Sequence, residues 1–233
     1  MSNVSHLFKQ APHPESVDDF YHVFNSSNAL NVVYWWDFFR KIQEVKGDIV
    51  ECGVGRGRSL ITLSAINKLI SQKEGVDERR IFALDSFDGF PEPNVKDASP
   101  RNPKKGEWSN SPNNQFSYSP DSISKVLKCA DIHSDITYIK GFFDKTTLNL
   151  PTAEIAILHL DGDLYESIID PLNNLWKQVT VGGIIVIDDY LFDSDDNEAF
   201  PGARLAVMEF LAKNNSFEYL QSIRGTPYLI RQK

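Results

Sequence analysis

The chain has 233 residues, 41% hydrophobic and 24% charged, with 24 Lys and Arg against 32 Asp and Glu and a formal net charge of −8. That length is ample for one large α/β domain with a sizeable core, and the composition excludes a disordered or collagen-like chain. The acidic balance argues against nucleic acid as a partner, because phosphate binding draws on clustered Lys and Arg, whereas an acidic surface can attract a metal or a cationic cofactor.

Met1–Pro14 has no basic segment followed by an apolar run, so no signal peptide is expected. No apolar stretch approaches the roughly 20 residues that span a bilayer. No membrane partner is expected, and cytoplasmic is the default location. From Ser16 to Val45 the pattern is helical. Val17, Phe20, Tyr21, Val23 and Phe24 share a face, Asn25–Asn28 interrupts, and Val33, Trp36, Phe38, Phe39 and Ile42 recur at helical spacing. Residues 1–45 read as an N-terminal helical extension that packs on a sheet or on a second subunit, which is compatible with a homodimer. Residues 46–233 read as one domain.

Gly47–Gly53 reads as a short buried strand entering a glycine loop, and Arg58–Ser71 as a helix with Leu60, Leu63, Ile66 and Ile70 in a stripe. Ile81–Leu84 is a second apolar run. Strand, glycine loop, helix and strand make a βαβ unit, which favours a parallel sheet with helices on both faces. Asp88–Ser122 is rich in Pro, Asn and Ser. It is too long for a silent connection and reads as a lid-like insertion, with Trp108, Phe116 and Tyr118 available to close over a ligand. Asp121–Ala130 is a predicted helix. Thr137–Lys140, Ile155–Leu160 and Ile184–Ile187 are predicted strands. Leu172–Val179 ends a helix, Gly182–Gly183 is a turn, and Ala203–Asn214 is an amphipathic helix. Phe217–Ile223 and Thr226–Arg231 form a terminal antiparallel hairpin about Arg224–Gly225. The two cysteines, Cys52 and Cys129, are too few for a zinc site or disulfide framework and are expected as buried thiols.

In open parallel sheets ligands gather outside the carboxyl ends of the strands. Here those ends carry Glu51–Gly57, Asp85–Ser86, Gly141–Asp144, Asp161–Asp163 and Asp188–Asp189. The first is E-x-G-x-G-x-G. A nicotinamide fingerprint would need Gly where Arg58 stands. The spacing instead matches the nucleotide loop of class I S-adenosylmethionine (SAM) methyltransferases, and Glu51 suits a cationic methionine amino group. Asp85 can accept both hydroxyls of a ribose. Asp161, Asp188 and Asp189 end two neighbouring apolar strands, and three such carboxylates repel unless a cation neutralises them. Hard oxygen ligands favour Mg²⁺. Asp163 can replace Asp161 as a ligand or stabilise the turn. His159 alternates within a buried strand and reads as a core histidine. Tyr165 and Glu166 line the site or cap a helix, Tyr190 is a candidate substrate contact, and Asp193–Glu198 reads as a solvated acidic loop.

Glu51–Gly57, Leu84–Pro91, Gly141–Asp144, Leu160–Ser167, Gly182–Tyr190 and Gly202–Val207 together resemble the macrocin O-methyltransferase (TylF/MycF-type) family. The resemblance implies a Rossmann-like class I methyltransferase sheet, mostly parallel with a C-terminal antiparallel hairpin. It implies SAM- and Mg²⁺-dependent methylation of a small-molecule hydroxyl, typically on a sugar of a natural product. It places Asp161, Asp188 and Asp189 at metal positions and Asp161 also at the catalytic base. The expected cofactor contacts are Glu51, Cys52, Gly53, Val54, Gly55, Asp85, Ser86, Phe142 and Asp161. A catechol or other phenol as acceptor, a nicotinamide oxidoreductase and a non-catalytic binding module are the alternatives.

Overall fold

The structure, a computed structural model, describes residues 26–110, 117–189 and 199–233. Val17–Phe24, Phe116, Tyr190 and Asp193–Glu198, all singled out above, lie outside the described residues, as does the side chain of Cys129. Helix α1 (Ser26–Lys41) leads into β1 (Asp48–Cys52), α2 (Arg58–Glu74) and β2 (Ile81–Asp85). After a 3-10 turn at Val95–Asp97 come α3 (Pro120–Cys129), β3 (Ile136–Lys140), the one-turn α4 (Phe143–Thr146) and β4 (Ile155–Leu160). Then follow α5 (Tyr165–Leu175), β5 (Val179–Ile187), α6 (Pro201–Lys213), β6 (Phe217–Gln221) and β7 (Pro227–Arg231). The strands form one sheet in the order β3-β2-β1-β4-β5-β7-β6. Five are parallel, and β7 runs antiparallel to both β5 and β6. This is the expected α/β class with its terminal hairpin. The crossover order reverses between β1 and β4, where such sheets open a ligand crevice.

The central strands read as unbroken apolar runs because both faces are covered. Ile49, Ile81, Ala83, Ile157, Ile184 and Val186 face α1, α2 and α3, whereas Val50, Phe82, Leu84, Leu158, Leu160, Ile185 and Ile187 face α5 and α6. Two-residue alternation therefore decides which side of the sheet each residue of β1 serves, and each residue of β4 from Ile157 onward, past the irregularity at Ile155–Ile157. Strand β5 begins five residues earlier than the apolar run predicts. The helix before it ends at Leu175, and Val179 already pairs with Ile155. A register shift opposite Ile155 and Ile157, with Gly182 at φ 84, carries the strand through the glycines instead of turning it.

Helix α1 is part of the core. Tyr34, Trp35, Phe38 and Ile42 are wholly buried, and the Phe38 ring meets Tyr34 at 4.8 Å and Tyr228 of β7 at 5.2 Å, both edge-on. Its aromatic face is thus consumed within the chain, leaving Leu30, Val32 and Val33 exposed. Phe38→Ala should cost about 3–5 kcal/mol, the range for deleting a buried aromatic ring, read as a lower urea midpoint with unchanged slope. A loss below about 1 kcal/mol would show α1 to be an appendage.

Candidate active site

The carboxyl ends of β1, β2, β3 and β4 open into a cavity of about 590 Å³. Its floor is the glycine loop. Gly53 sits at φ 100, and a Cβ there would lie 1.8 Å from the Asp161 carbonyl oxygen, so only glycine permits the approach. Cys52 accepts the Asp161 N–H at 2.9 Å across the same gap. Asp85 braces the loop from β2: one carboxylate oxygen accepts the N–H groups of Val54 (2.8 Å) and Gly55 (2.9 Å), and the other accepts that of Phe87 at 2.6 Å. The residue expected to hold a ribose therefore also shapes the loop. Ser86 donates to the Gly89 carbonyl at 2.8 Å, and Phe142, 41% exposed, presents its ring at the end of β3.

The acidic rim stands opposite. Asp161, Asp163 and Asp188 line the cavity, while Asp189 turns behind it and accepts the Asp163 N–H at 2.9 Å. Burial, then the charge of Asp188, holds the Asp161 carboxyl above its ordinary range. Burial, then Asp163 and Asp161, does the same to Asp189. Burial pushes Asp163 up to about 7 against the pull of Arg101. Asp188 is engaged by Arg224, whose guanidinium reaches its two oxygens at 2.8 and 3.4 Å and stacks 4.7 Å from the Tyr34 ring. Ser222 and Thr226 brace that hairpin tip, with Tyr34 Oη 3.2 Å from Thr226. Among the described residues no three His, Cys, Asp or Glu side chains form a ready metal-ligand set. The triad shares one rim but splits between an arginine and a backbone amide.

Two expected cofactor residues do not line the cavity. Glu51 shares the parity of Ile49, so its side chain enters the core beneath α1, where its carboxylate lies 3.1 Å from His159 Nδ1. Trp35 packs edge-on against that imidazole at 4.8 Å. Burial raises the pKa of Glu51. Burial opposes charge on His159 most strongly, but the bond to Glu51 together with the charges of Glu51, Asp161 and Asp188 outweighs it and holds the imidazole above its ordinary value. The Cys52 side chain points to the other core, where burial raises its thiol pKa. His159 is the core histidine expected of it. Sequence reasoning missed Arg224, which it read only as a turn residue, together with Asn31 and Arg58 on the same wall. Burial lowers the Arg58 pKa, and the nearby guanidiniums of Arg224 and Arg56 lower it further.

The described part of the insertion is docked. The buried Asp97 accepts the N–H groups of Asn94 (2.8 Å) and Tyr165 (2.7 Å), and Gly202 leaves room for it where a Cβ would lie 2.0 Å from its oxygen. Lys96 bonds Glu209 at 2.6 Å and lies over the Tyr165 ring. Tyr165 therefore anchors the insertion instead of lining the cavity, while Glu166 does line it.

The family model of macrocin-O-methyltransferase (TylF) matches residues 40–231. The chain belongs to this family. It is 31% identical over 184 residues to the 8-demethyl-8-(2,3-dimethoxy-alpha-L-rhamnosyl)-tetracenomycin-C 4'-O-methyltransferase of Streptomyces olivaceus, covering 78% of this chain and 64% of that protein. It is 31% identical over 170 residues to the demethyldecarbamoylnovobiocin O-methyltransferase of Streptomyces niveus, covering 72% of this chain and 60% of that protein. The alignments thus span less than two thirds of these relatives. Among solved structures, that of the O-methyltransferase NovP superposes with a TM-score of 0.66 at 25% identity, covering 99% of this chain and 88% of the other. The sheet order is accordingly that of the class I methyltransferase fold, as the family resemblance implied. Among the described residues no helix is long and apolar enough to cross a membrane.

The Glu51–His159 pair gives a test of its own. Glu51→Leu alone should destabilise this macrocin O-methyltransferase family member by roughly 3–5 kcal/mol, because it strands a buried partner, whereas Glu51→Leu with His159→Leu should recover most of the loss. Chemical denaturation of both variants checks this. Equal losses in the two would mean that the pair is not coupled.

Proposed function

We propose that the chain transfers the methyl group of SAM to a hydroxyl of a sugar carried by a small-molecule natural product, assisted by Mg²⁺. The observation that carries this reading is the meeting of the glycine loop and the acidic rim in one cavity through the Gly53–Asp161 contact. Family membership and the rhamnosyl-directed relative support the reaction and the acceptor class. Gly53, Val54, Gly55, Asp85, Ser86 and Phe142 are proposed to hold the donor. Glu51 contributes from below the loop, through its bond to His159 in the core, and Cys52 through its backbone.

The donor set suits a hard divalent cation. Asp161, Asp188 and Asp189 are all carboxylates at adjoining strand ends, and burial first, then the neighbouring carboxylates, holds Asp161 and Asp189 above their ordinary range, which a cation there would offset. These carboxylates would hold Mg²⁺, which would supply Lewis acidity toward the acceptor hydroxyl. Asp161 takes the hydroxyl proton. The oxygen's electron pair forms the new bond to the methyl carbon as the carbon–sulfur bond breaks, and its electrons neutralise the sulfonium, releasing S-adenosylhomocysteine. The rest is positioning: the loop fixes the donor and the docked insertion limits water. The family match leaves the nicotinamide and scaffold readings without support.

Calorimetry should detect SAM and S-adenosylhomocysteine with affinities on the order of micromolar. Mass spectrometry of a glycoside panel should find a mass gain of one methyl in exchange for hydrogen. Chelation should abolish transfer while sparing donor binding, and added Mg²⁺ should restore it. Asp161→Asn should remain inactive at saturating Mg²⁺. Folded protein that binds neither nucleoside would overturn the methyltransferase reading, and full turnover after thorough chelation would overturn the metal.

A further inference from the structure

Trp108 lines the cavity and yet is 51% exposed, so about half of a large flat apolar residue stands open at the cavity. Its backbone is left-handed, at φ 66, a conformation that is costly for a bulky residue and persists only where the surroundings impose it. Those surroundings are well defined. Phe90 N–H donates to the Glu107 carbonyl at 2.9 Å, and Gly106 N–H donates back to the Phe90 carbonyl at 3.0 Å. Gly89 admits this pairing, since a Cβ there would lie 2.3 Å from the Glu107 oxygen. Arg101 bonds the Glu107 carboxylate at 2.6 Å and stacks on Phe90 and Phe200, and Ser109 ties back to the Gly106 carbonyl at 2.9 Å. The loop is therefore braced on both sides of the tryptophan while the indole itself is left open.

A braced, strained backbone presenting an open aromatic face to a cavity implies a ligand with a flat apolar face of its own. A pyranose has one: its ring C–H groups gather on one side while the hydroxyls project from the rim. The negative face of an indole attracts such C–H groups. Phe142, just after β3, is a second ring in the same lining and is available to the donor's adenine, which leaves the indole for the second substrate. We infer that Trp108 is the stacking platform for the sugar ring of the acceptor and so a specificity-determining residue. The inference rests on the sugar methyltransferase reading above.

The test uses full-length protein loaded with S-adenosylhomocysteine, with methyl α-L-rhamnopyranoside as the probe. Binding of the rhamnoside should quench tryptophan emission. Trp108→Ala should abolish the quench and weaken rhamnoside binding about tenfold by calorimetry, Trp108→Phe should lose less than Trp108→Leu, and all three should keep nucleoside affinity within about twofold. Gly89→Ala, which displaces the loop but keeps the indole, should reproduce the weakened rhamnoside binding. Because Trp108 is half exposed, its variants should keep the parent's thermal midpoint. Rhamnoside binding unchanged in Trp108→Ala, or absent from the parent protein, would overturn the platform. A matched loss of nucleoside affinity would also overturn it, by assigning the ring to the donor. Failure of the parent protein to bind S-adenosylhomocysteine would instead overturn the underlying reading.

Discussion

The contact between Gly53 and the Asp161 carbonyl is the constraint on which the site depends. Strands β1 and β4 lie side by side at the reversal of the sheet order, and their carboxyl ends close to a distance that excludes even a methyl group at residue 53. The Cys52 carbonyl and the Asp161 amide hold the same junction with a hydrogen bond. That single approach sets the glycine loop against the acidic turn, so a donor on one and a hydroxyl on the other would meet within one cavity. Asp85 extends the arrangement laterally. By accepting two loop amides it fixes the loop's curvature from the neighbouring strand, and the shape of the cavity floor becomes a property of three strands.

Charge is distributed as unevenly as shape. The rim gathers Asp161, Asp163, Asp188 and Asp189, and burial makes each new negative charge costly there. Arg224 answers part of this from the β6–β7 hairpin, braced by Tyr34 of α1. Arg58 and Arg56 stand on the same wall. The cavity therefore has an acidic side and a basic corner, which suits a donor that carries both a sulfonium and a carboxylate. The Glu51–His159 pair lies just below, sealed by Trp35, and links the loop to the core through polar bonds in a dry environment.

The insertion after β2 joins the rest of the molecule through Asp97. Its carboxylate accepts the first amide of α5, at the end of the acidic turn, and Gly202 of α6 gives it space. The wall that carries Trp108 is thus mechanically tied to the helix that follows Asp161 and Asp163. The insertion wall and the acidic turn of the cavity share one support.

Much of this was legible in the amino-acid order. Unbroken apolar runs ending in acids marked the buried strands and the rim they share, the glycine spacing marked the loop, and Arg224–Gly225 marked the hairpin. These are local signals: the period of a strand, the turn that glycine allows, the acid where an apolar run stops. What the order alone did not decide is which way each side chain faces once strands are paired. Glu51 reads as a donor ligand, but alternation along β1 turns it into the core beneath α1. Asp188 and Asp189 read as equal partners, but adjacent residues at a strand end face opposite ways, and one meets Arg224 while the other meets the Asp163 amide. Arg224 itself is 36 residues from Asp188 and reaches it only because β7 pairs with β5. Sequence periodicity determined the elements and the chemistry at their ends. Strand order and register, which are set by long-range pairing, decided which of those groups share a cavity.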